Sequence, residues 1–369
     1  MLYFVEWGYS REDLFFLTNA SATHPASCKP LGVGVIGLGH WGPNHVRTFS
    51  QMEGARVVMC ADLAENRRAH IIRLYRDLVV VRDADQVFAN AEVDAVVIAT
   101  PTHTHFDLAK GAMQAGKHVL LEKPMCTSME EASTLVDLSG KLGVTLMQGH
   151  VFVYNRAVQY LRERAVRGDF GNLQYLDAVR TNLGPIRSDI DVVQDLAVHE
   201  ISIFDYLFGG LPDWVQAAGT CPLGTPREDV AFITMEYGNV LAHAHVSWLH
   251  PQKVRTLTLV GDKRMVFWND MDGLEPIRIY DKGLTDEPYY DTFGEFQLRL
   301  RDADILIPKI VLDEPLRVQA LAFIARATNG TPSLSDVGAG LRVMRCLEAV
   351  RYSLKHDGKR VRLDPGASA

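Results

Sequence analysis

Three short segments of the chain carry residue types that suit cofactor binding or proton transfer. Gly37-Leu38-Gly39-His40-Trp41-Gly42 has the GxGxxG spacing, in which glycines allow a tight turn and let backbone N–H groups approach a pyrophosphate. Glu122-Lys123-Pro124 places a lysine, a potential proton donor or acceptor, directly after an apolar run. Asp195 and His199 are four positions apart, a spacing that puts both side chains on one face of a helix.

Each segment also has a plain structural interpretation. A glycine-rich turn without a ligand accounts for the first, a strand end before a turn for the second, and a hydrogen-bonded surface pair for Asp195 and His199. The glycines, however, lie between a predicted strand and a predicted helix, the context in which this spacing binds a dinucleotide. The occurrence of Glu122-Lys123-Pro124 and the Asp195/His199 pair in one chain, in this order, favours the functional interpretation of both.

The segments around the glycines alternate between strand and helix signals. GVGVIG is a short apolar strand, and a helix begins near Trp41 with Pro43 in its first turn and apolar residues at helical spacing. RVVMCAD, VDAVVIATPT and GKHVLLEKP are further apolar runs, as expected for strands buried on both faces. The pattern predicts an α/β Rossmann domain with a parallel sheet over residues 31–150.

The end of the second strand carries the residue that selects the cofactor. Asp62 lies twenty positions after Gly42, where an acidic residue accepts hydrogen bonds from the adenosine ribose hydroxyls. A carboxylate there repels a 2′-phosphate, so the sequence favours NAD over NADP, although Arg67 and Arg68 weaken the preference. The alternative is a solvated aspartate after a strand.

The remainder of the chain follows a different order. One helix over 157–166, a strand LQYLDAVRTN and an amphipathic helix over about 191–208 precede a series of strands separated by turn residues. This order predicts an α+β domain over 151–369, built on a large open, mostly antiparallel sheet, whose last helices, near 316–328 and 337–355, brace the Rossmann domain. Residues 1–30 fit neither part and are assigned as an N-terminal extension. The sequence leaves open whether this is an ordered extension, a flexible arm or a misassigned start.

AGKHVLLEKPMCTSMEEA, preceded by ATPTHTHFDLAKGAMQAG and followed later by QDLAVHEISIFDYLFGG, resembles the Gfo/Idh/MocA oxidoreductase family. That family is known for glucose–fructose oxidoreductase and inositol dehydrogenase, and the resemblance extends from Leu31 to the C-terminal helices. The later segments, NLGPIRSDIDVVQDLAVHE among them, are most similar to the branch that oxidises carbon 3 of UDP-N-acetylhexosamines or their uronic acids. The resemblance implies an NAD-dependent dehydrogenase acting on a CH–OH group.

The resemblance also implies roles for the residues singled out above. Oxidation of a secondary alcohol needs a hydride acceptor on one side of the carbinol carbon and a base within reach of its hydroxyl. His199, neutral near pH 7, is the candidate base, Asp195 orients it, and Lys123 is a proton relay or a donor to the developing alkoxide. Family members divide the base role differently between Lys123 and His199, and the sequence leaves this open, as it does the isomer of the Lys123-Pro124 bond, commonly cis in the family.

The family's remaining positions complete the predicted site. The residues expected to bind the cofactor are Gly37, Leu38, Gly39, His40, Trp41, Gly42, Asp62, Thr100, Pro101, Thr102, His105, Glu122 and Lys123. Those expected to bind the substrate are Lys123, Tyr154, Asn182, Arg187 and His199, with Lys253 and Arg255 as candidates for a diphosphate. For Tyr154, Asn182, Arg187 and the last two, a surface role is the alternative. Glu200 stands where many relatives have aspartate.

Composition excludes several other classes of protein. The formal net charge is −7 without a basic stripe, which argues against a nucleic-acid partner. No run approaches the roughly 18 apolar residues of a membrane span, and the first residues lack a basic region typical of a signal peptide. The five cysteines are scattered and predict a reducing, cytoplasmic location. The His103/His105 and His243/His245 pairs lack a third ligand, so no metal is expected.

The leading hypothesis is therefore a dehydrogenase for a nucleotide-linked amino sugar that forms a homodimer or homotetramer. A second hypothesis is a dehydrogenase or ketoreductase for a free polyol or sugar such as inositol. A third comes from relatives of this fold that are NAD-recycling glycosidases or regulatory proteins that bind a dinucleotide without turnover. The presence of Lys123, Asp195 and His199 argues against a pure binding protein.

Overall fold

The computed structural model describes residues 29–184, 186–187, 189–285 and 299–363. Most of the predicted N-terminal extension, with Cys28, lies outside the described residues. The chain divides into two compact units, and we call them the first and the second unit. Among the described residues, the first unit comprises 29–154 and 313–345, and the second comprises the remainder.

The first unit contains a six-stranded parallel sheet in the order β3-β2-β1-β4-β5-β6. The strands are β1 (Leu31–Ile36), β2 (Ala55–Ala61), β3 (Val79–Val81), β4 (Ala95–Ile98), β5 (His118–Leu121) and β6 (Leu146–Gln148). Every residue of β1 and β4 is buried, because crossover helices cover both faces of such a sheet. The helices are α1 (Gly42–Ser50), α2 (Glu65–Leu74), α3 (Ala84–Phe88), α4 (His105–Gln114) and α5 (Met129–Leu142), and Thr102–Thr104 and Val151–Tyr154 form 3₁₀ turns.

The second unit begins with α6 (Arg156–Val166) and contains a nine-stranded sheet in the order β14-β13-β12-β11-β7-β10-β9-β8-β15. Its strands are β7 (Leu173–Leu183), β8 (Trp214–Thr220), β9 (Val230–Tyr237), β10 (Val240–Ser247), β11 (Leu249–Gly261), β12 (Met265–Asn269), β13 (Ile277–Thr285), β14 (Arg299–Leu306) and β15 (Val361–Arg362). Within this nine-stranded sheet, β7 and β10 form the only parallel pair among the described strands. The predicted fold class is confirmed for both sheets.

The predicted amphipathic helix over 191–208 has two parts. A π-helical turn, Val193–Ala197, leads into α7 (Val198–Phe208), which ends at Gly209 in the left-handed conformation, φ +76°. Asp195 lies in the π-helical turn and His199 in the first turn of α7. Single π-helical turns are rare within helices and occur frequently at functional sites.

Two further helices follow β14, α8 (Pro315–Asn329) and α9 (Val337–Lys355). Within the first unit, α8 packs against α1, where Phe323 meets Phe49 edge to face with ring centroids 6.4 Å apart. Pro315 lies in the first turn of α8, and Gly330, at φ +70°, ends it. Residues 313–345 thus belong to the same compact unit as the Rossmann sheet.

The interior of the second unit holds an ion pair between Arg180 on β7 and Glu200 on α7, whose side chains are 4% and 3% exposed. Removing one partner of a buried pair leaves the other charge uncompensated and costs about 3–5 kcal/mol. We therefore expect Arg180→Ala to lower the free energy of unfolding by about that amount, measured by urea denaturation. The control Arg278→Ala removes a half-exposed partner of Glu275 and should cost about 0–1 kcal/mol. Equal losses in the two variants would contradict this account.

Candidate active site

The glycine-rich turn after β1 is packed too closely for side chains. Gly37 has φ +89°, and an added Cβ at this residue would lie 2.7 Å from the carbonyl oxygen of Ala99. A Cβ at Gly42 would lie 2.0 Å from the carbonyl oxygen of Gly37. The helix α1 begins at Gly42, with Pro43 in its first turn and no side chain capping its N-terminus. The N–H groups of such a helix end favour a bound phosphate, which fits a dinucleotide.

Asp62 is buried directly after β2 and is not a solvated residue, since it is only 8% exposed. One carboxylate oxygen accepts the N–H of Leu38 at 2.6 Å, and the other accepts the N–H of Ala64 at 2.8 Å. A guanidinium nitrogen of Arg67 lies 3.6 Å from the same carboxylate, and this guanidinium group also lies next to Gly39. The aspartate therefore holds the glycine turn in place and presents negative charge beside it.

The loop after β4 is held by His105, which begins α4 and is 1% exposed. One ring nitrogen lies 2.9 Å from the carbonyl oxygen of Pro124, and the other lies 2.9 Å from that of Thr100. Burial lowers the pKa of His105, and a neutral ring donates to one of these carbonyls at a time. His105 joins the loop after β4 to the loop after β5. The Lys123-Pro124 peptide bond in that second loop is cis.

The carboxylate of Glu122 lies buried beside Lys123 and is held on both oxygens. His45 on α1 bonds one of them at 2.8 Å, and the backbone N–H of Lys123 donates to the other at 3.2 Å. Burial disfavours the charged form of Glu122, but the hydrogen bond and charge of His45, with the charge of Lys123, outweigh it and lower its pKa. The structure thus places a carboxylate and a lysine together at the C-terminal edge of the parallel sheet.

The segment after β6 lies at the same edge. The side-chain amide of Gln148 donates to the carbonyl oxygens of Leu121 and Glu122, at 3.1 and 3.0 Å. His150 is 3% exposed, and the charges of Glu122 and Lys123 influence the pKa of its ring. Tyr154, predicted to bind substrate, is 2% exposed, with its hydroxyl 3.1 Å from that of Ser335. This bond gives Tyr154 a role in the packing of the first unit.

In the second unit, Asp195 is held by one side chain that is distant in sequence, Trp248, and by one that is close, Arg187. The indole N–H of Trp248 donates to one of its oxygens at 3.1 Å, and a guanidinium nitrogen of Arg187 lies 3.6 Å from the other. Arg187 also binds Asp189 through two contacts, at 3.0 and 2.6 Å. Arg187, predicted as a substrate ligand, therefore fixes the orientation of Asp195 in this structure.

His199 lies one turn after Asp195 and is 8% exposed. Its backbone carbonyl accepts the hydroxyl of Ser202 at 2.7 Å. The next residue, Glu200, points to the interior ion pair with Arg180. The helix thus presents Asp195 and His199 from adjacent turns while Glu200 anchors it to β7.

The other predicted sugar-binding residues have different surroundings. Asn182, near the end of β7, has a buried side-chain oxygen without a hydrogen-bond partner among the described residues. Arg255 on β11 is paired at 3.2 Å with Asp270, which also accepts the amide of Asn155 at 2.9 Å. Lys253 is exposed. Arg255 therefore belongs to an internal polar network. The side-chain oxygen of Asn182 and the exposed side chain of Lys253 are able to contact a ligand.

The sequence analysis did not single out His45, His150 or Trp248. His45 follows Gly42 by three positions on α1, which puts it on the same helical face as the glycine turn and is a usable signal. His150 lies two positions after β6 and Trp248 directly follows β10, and the sequence carries no sign of the groups that surround them.

The described residues contain neither a membrane-spanning helix nor a metal-binding cluster. No helix there is both long and apolar enough to span a membrane. No group of three or more histidine, cysteine, aspartate or glutamate side chains there is arranged to hold a metal ion.

Comparison with known families assigns both parts of the chain. Residues 31–150 match the "Oxidoreductase family, NAD-binding Rossmann fold" of the GFO_IDH_MocA proteins, and residues 158–267 match the "GFO/IDH/MocA C-terminal domain". UDP-N-acetylglucosamine 3-dehydrogenase from Acidithiobacillus ferrooxidans is 30% identical to this chain over 337 residues, covering 87% of this chain and 96% of its own. Inositol 2-dehydrogenase 2 from Saccharopolyspora erythraea is 31% identical over 57% of this chain and 64% of its own.

Solved structures agree with this assignment. A structure of the Acidithiobacillus ferrooxidans enzyme superposes with a TM-score of 0.75 and 26% identity, covering 89% of this chain and 99% of that one. GenD2 from gentamicin A biosynthesis, solved in complex with NAD, superposes with a TM-score of 0.77 and 22% identity, covering 93% and 98% of the two chains. The similarity to GenD2 shows a shared fold and nothing more.

The close packing at Gly42 generates a test of the nucleotide site. Since a Cβ there would lie 2.0 Å from the carbonyl oxygen of Gly37, Gly42→Ala should force the turn away from α1. We expect NADH to bind at least about tenfold more weakly, which corresponds to about 1.4 kcal/mol, as measured by fluorescence titration. Gly140→Ala is the control, because no atom lies within 4 Å of an added Cβ there. Unchanged NADH affinity in Gly42→Ala would count against the assignment.

Proposed function

Because the chain belongs to the Gfo/Idh/MocA oxidoreductase family, we propose that it is an NAD-dependent dehydrogenase of a nucleotide-linked sugar. The substrate is a UDP-N-acetylhexosamine or its uronic acid, and the hydroxyl oxidised is that on carbon 3. The observation that carries the substrate proposal is the similarity to a UDP-N-acetylglucosamine 3-dehydrogenase, which covers 87% of this chain and 96% of that one. The inositol dehydrogenases match a smaller share of this chain.

The first unit fits a dinucleotide. Gly37 and Gly42 leave the turn open to a pyrophosphate, and the uncapped N-terminus of α1 supplies N–H donors. The chemistry that bound NAD supplies is the acceptance of a hydride from the carbinol carbon. Asp62 favours NAD, because its carboxylate accepts hydrogen bonds from ribose hydroxyls and repels a 2′-phosphate.

Proton transfer is assigned to Lys123, Asp195 and His199. The proton of the substrate hydroxyl must leave as the carbonyl forms, and a neutral imidazole or amine accepts it. Asp195 is fixed by Trp248 and Arg187, which suits a carboxylate that orients His199. Glu122, charged and buried beside Lys123, stabilises positive charge on the lysine after it takes up a proton.

We propose that the enzyme acts in the cytoplasm as a homodimer or homotetramer. The four cysteines within the described residues are free thiols, as in a reducing compartment. The proposed partner is the sugar nucleotide itself, with neither nucleic acid nor membrane involved.

The substrate proposal is tested by incubating the purified protein and NAD with UDP-N-acetylglucosamine, its uronic acid or myo-inositol while NADH absorbance is recorded. We expect reduction with a UDP-sugar alone. Reduction by inositol only would replace the proposal with a polyol dehydrogenase. Sugar release from a glycoside with no net absorbance change would replace it with an NAD-recycling glycosidase.

The proton-transfer assignment predicts that Lys123→Met and His199→Asn each lower kcat by about 10²-fold or more, because each removes a group that exchanges a proton. The control Lys141→Met changes an exposed lysine in the last turn of α5 and should leave kcat unchanged. If Lys123→Met and His199→Asn both kept near-full turnover, this mechanism would be abandoned.

The cofactor preference is tested by Asp62→Asn, which removes the charge and keeps an acceptor for the N–H of Leu38 or Ala64. The ratio of kcat/KM with NAD to that with NADP should fall about tenfold, a difference of about 1.4 kcal/mol. Arg67→Ala should move the ratio in the opposite direction, because a guanidinium near the glycine turn attracts a 2′-phosphate. A ratio that neither variant alters would exclude Asp62 and Arg67 from cofactor selection.

A further inference from the structure

The C-terminal ends of β5 and β6 bring His150 beside the proposed catalytic lysine. The two strands are parallel neighbours, with Leu121 paired to Gln148, so Glu122-Lys123 and Gly149-His150 leave the sheet at the same edge. The N–H of Gly149 donates to the carbonyl oxygen of Leu121 at 2.7 Å. A Cβ at Gly149 would lie 3.1 Å from the Cα of Glu122 and 3.2 Å from its carboxylate. The position of His150 relative to Glu122 is therefore set by backbone contact.

The ring of His150 is buried without hydrogen-bond partners. It is 3% exposed, and neither Nδ1 nor Nε2 has a partner among the described residues. Nδ1 of His45 and Oε1 of Gln148 also lack partners, but each of these side chains is bonded through its other polar atom. A buried polar group without a hydrogen-bond partner is destabilising, because it has lost its hydrogen bonds to water. Both polar atoms of the His150 ring are therefore available to a molecule other than the chain itself.

The charge state of His150 defines what that partner must offer. Burial lowers the pKa of His150 to about 3, the carboxylate of Glu122 opposes this, and the positive charge of Lys123 adds to it. The ring is therefore neutral at pH 7, with one N–H donor and one lone pair. Its partner must both accept and donate a hydrogen bond, and a neutral hydroxyl or primary carboxamide does both.

Glu122, whose charge influences the pKa of His150, does not meet this need. Glu122 already accepts from His45 on one oxygen and from the backbone of Lys123 on the other, and an ionised carboxylate cannot donate. The carboxyl ends of parallel strands are also where open α/β sheets bind their ligands. A ligand at this edge meets Lys123 and His150 together.

We propose that His150 is a further ligand-contact residue, which binds through its ring nitrogens a neutral donor–acceptor group of the bound cofactor or substrate. The group is the carboxamide of the nicotinamide or a hydroxyl of the sugar, and both have the same hydrogen-bonding chemistry. This inference rests on the proposed function, because it takes the dinucleotide and the sugar as the molecules that reach Lys123. His150 positions the reacting molecule and neither gains nor loses a net proton.

The test compares two variants of His150. His150→Phe keeps a planar ring of similar size and removes both nitrogens, whereas His150→Gln restores one donor and one acceptor. NADH affinity is measured by fluorescence titration without sugar, and KM and kcat are measured with UDP-N-acetylglucosamine. His118→Phe is the control, since His118 begins β5 at the opposite edge of the same sheet. Thermal unfolding of each protein reports structural damage.

We expect His150→Phe to lower the affinity for one of the two ligands, NADH or the sugar, about tenfold or more, a loss of about 1.4 kcal/mol. His150→Gln should recover most of that affinity. Weaker NADH binding without sugar identifies the carboxamide, whereas unchanged NADH binding with a raised KM for the sugar identifies the hydroxyl. His118→Phe should alter neither quantity.

Two outcomes overturn the inference. If His150→Phe binds NADH and turns over the sugar like the parent, the ring meets only buried water. If both variants lose affinity only in proportion to a lowered melting temperature, the role of His150 is structural. Failure of the proposed function is seen separately, because the parent protein itself would then not reduce NAD with a UDP-sugar. In that case, unchanged NADH affinity in His150→Phe counts against the inference.

Discussion

The buried contact between His45 and Glu122 is the interaction on which the first unit depends. A carboxylate taken out of water is stable in its charged form only when other groups replace its hydration. His45 supplies one of those groups from α1, the helix that follows the glycine turn, and the backbone of Lys123 supplies another. The contact therefore ties the helix proposed to meet the pyrophosphate to the loop that carries the proposed catalytic lysine.

The second unit uses the same principle with different residues. Asp195 lies in a π-helical turn and is bound by Trp248 and Arg187, while Glu200 is bound inside by Arg180. Asp195 and Glu200 lie in one short helical segment and have separate partners. Because both carboxylate oxygens of Asp195 are already held, its side chain loses little further conformational freedom when a ligand binds. Such a site is preorganised.

The order of the elements was predictable from local sequence signals. Continuous apolar runs indicated the buried strands of the parallel sheet, and Gly209 and Gly330 end helices in the left-handed conformation that glycine adopts at no steric cost. The helix over 337–355 was predicted with the bounds that the structure has. The π-helical turn was not predictable, because its residues follow the same apolar pattern as an α-helix.

The sequence by itself determined the glycine turn, the acidic residue after β2, and the presence of a lysine and an aspartate–histidine pair, because each depends on residues close together along the chain. Only the tertiary structure decided which groups these residues meet. His45 and Glu122 are 77 positions apart, and Trp248 and Asp195 are 53 apart. Tyr154 and Arg187, predicted as sugar ligands, are engaged by Ser335 and by Asp189 and Asp195. The reason is physical: a buried polar atom must find a partner, and folding decides which distant residue is near enough to be one.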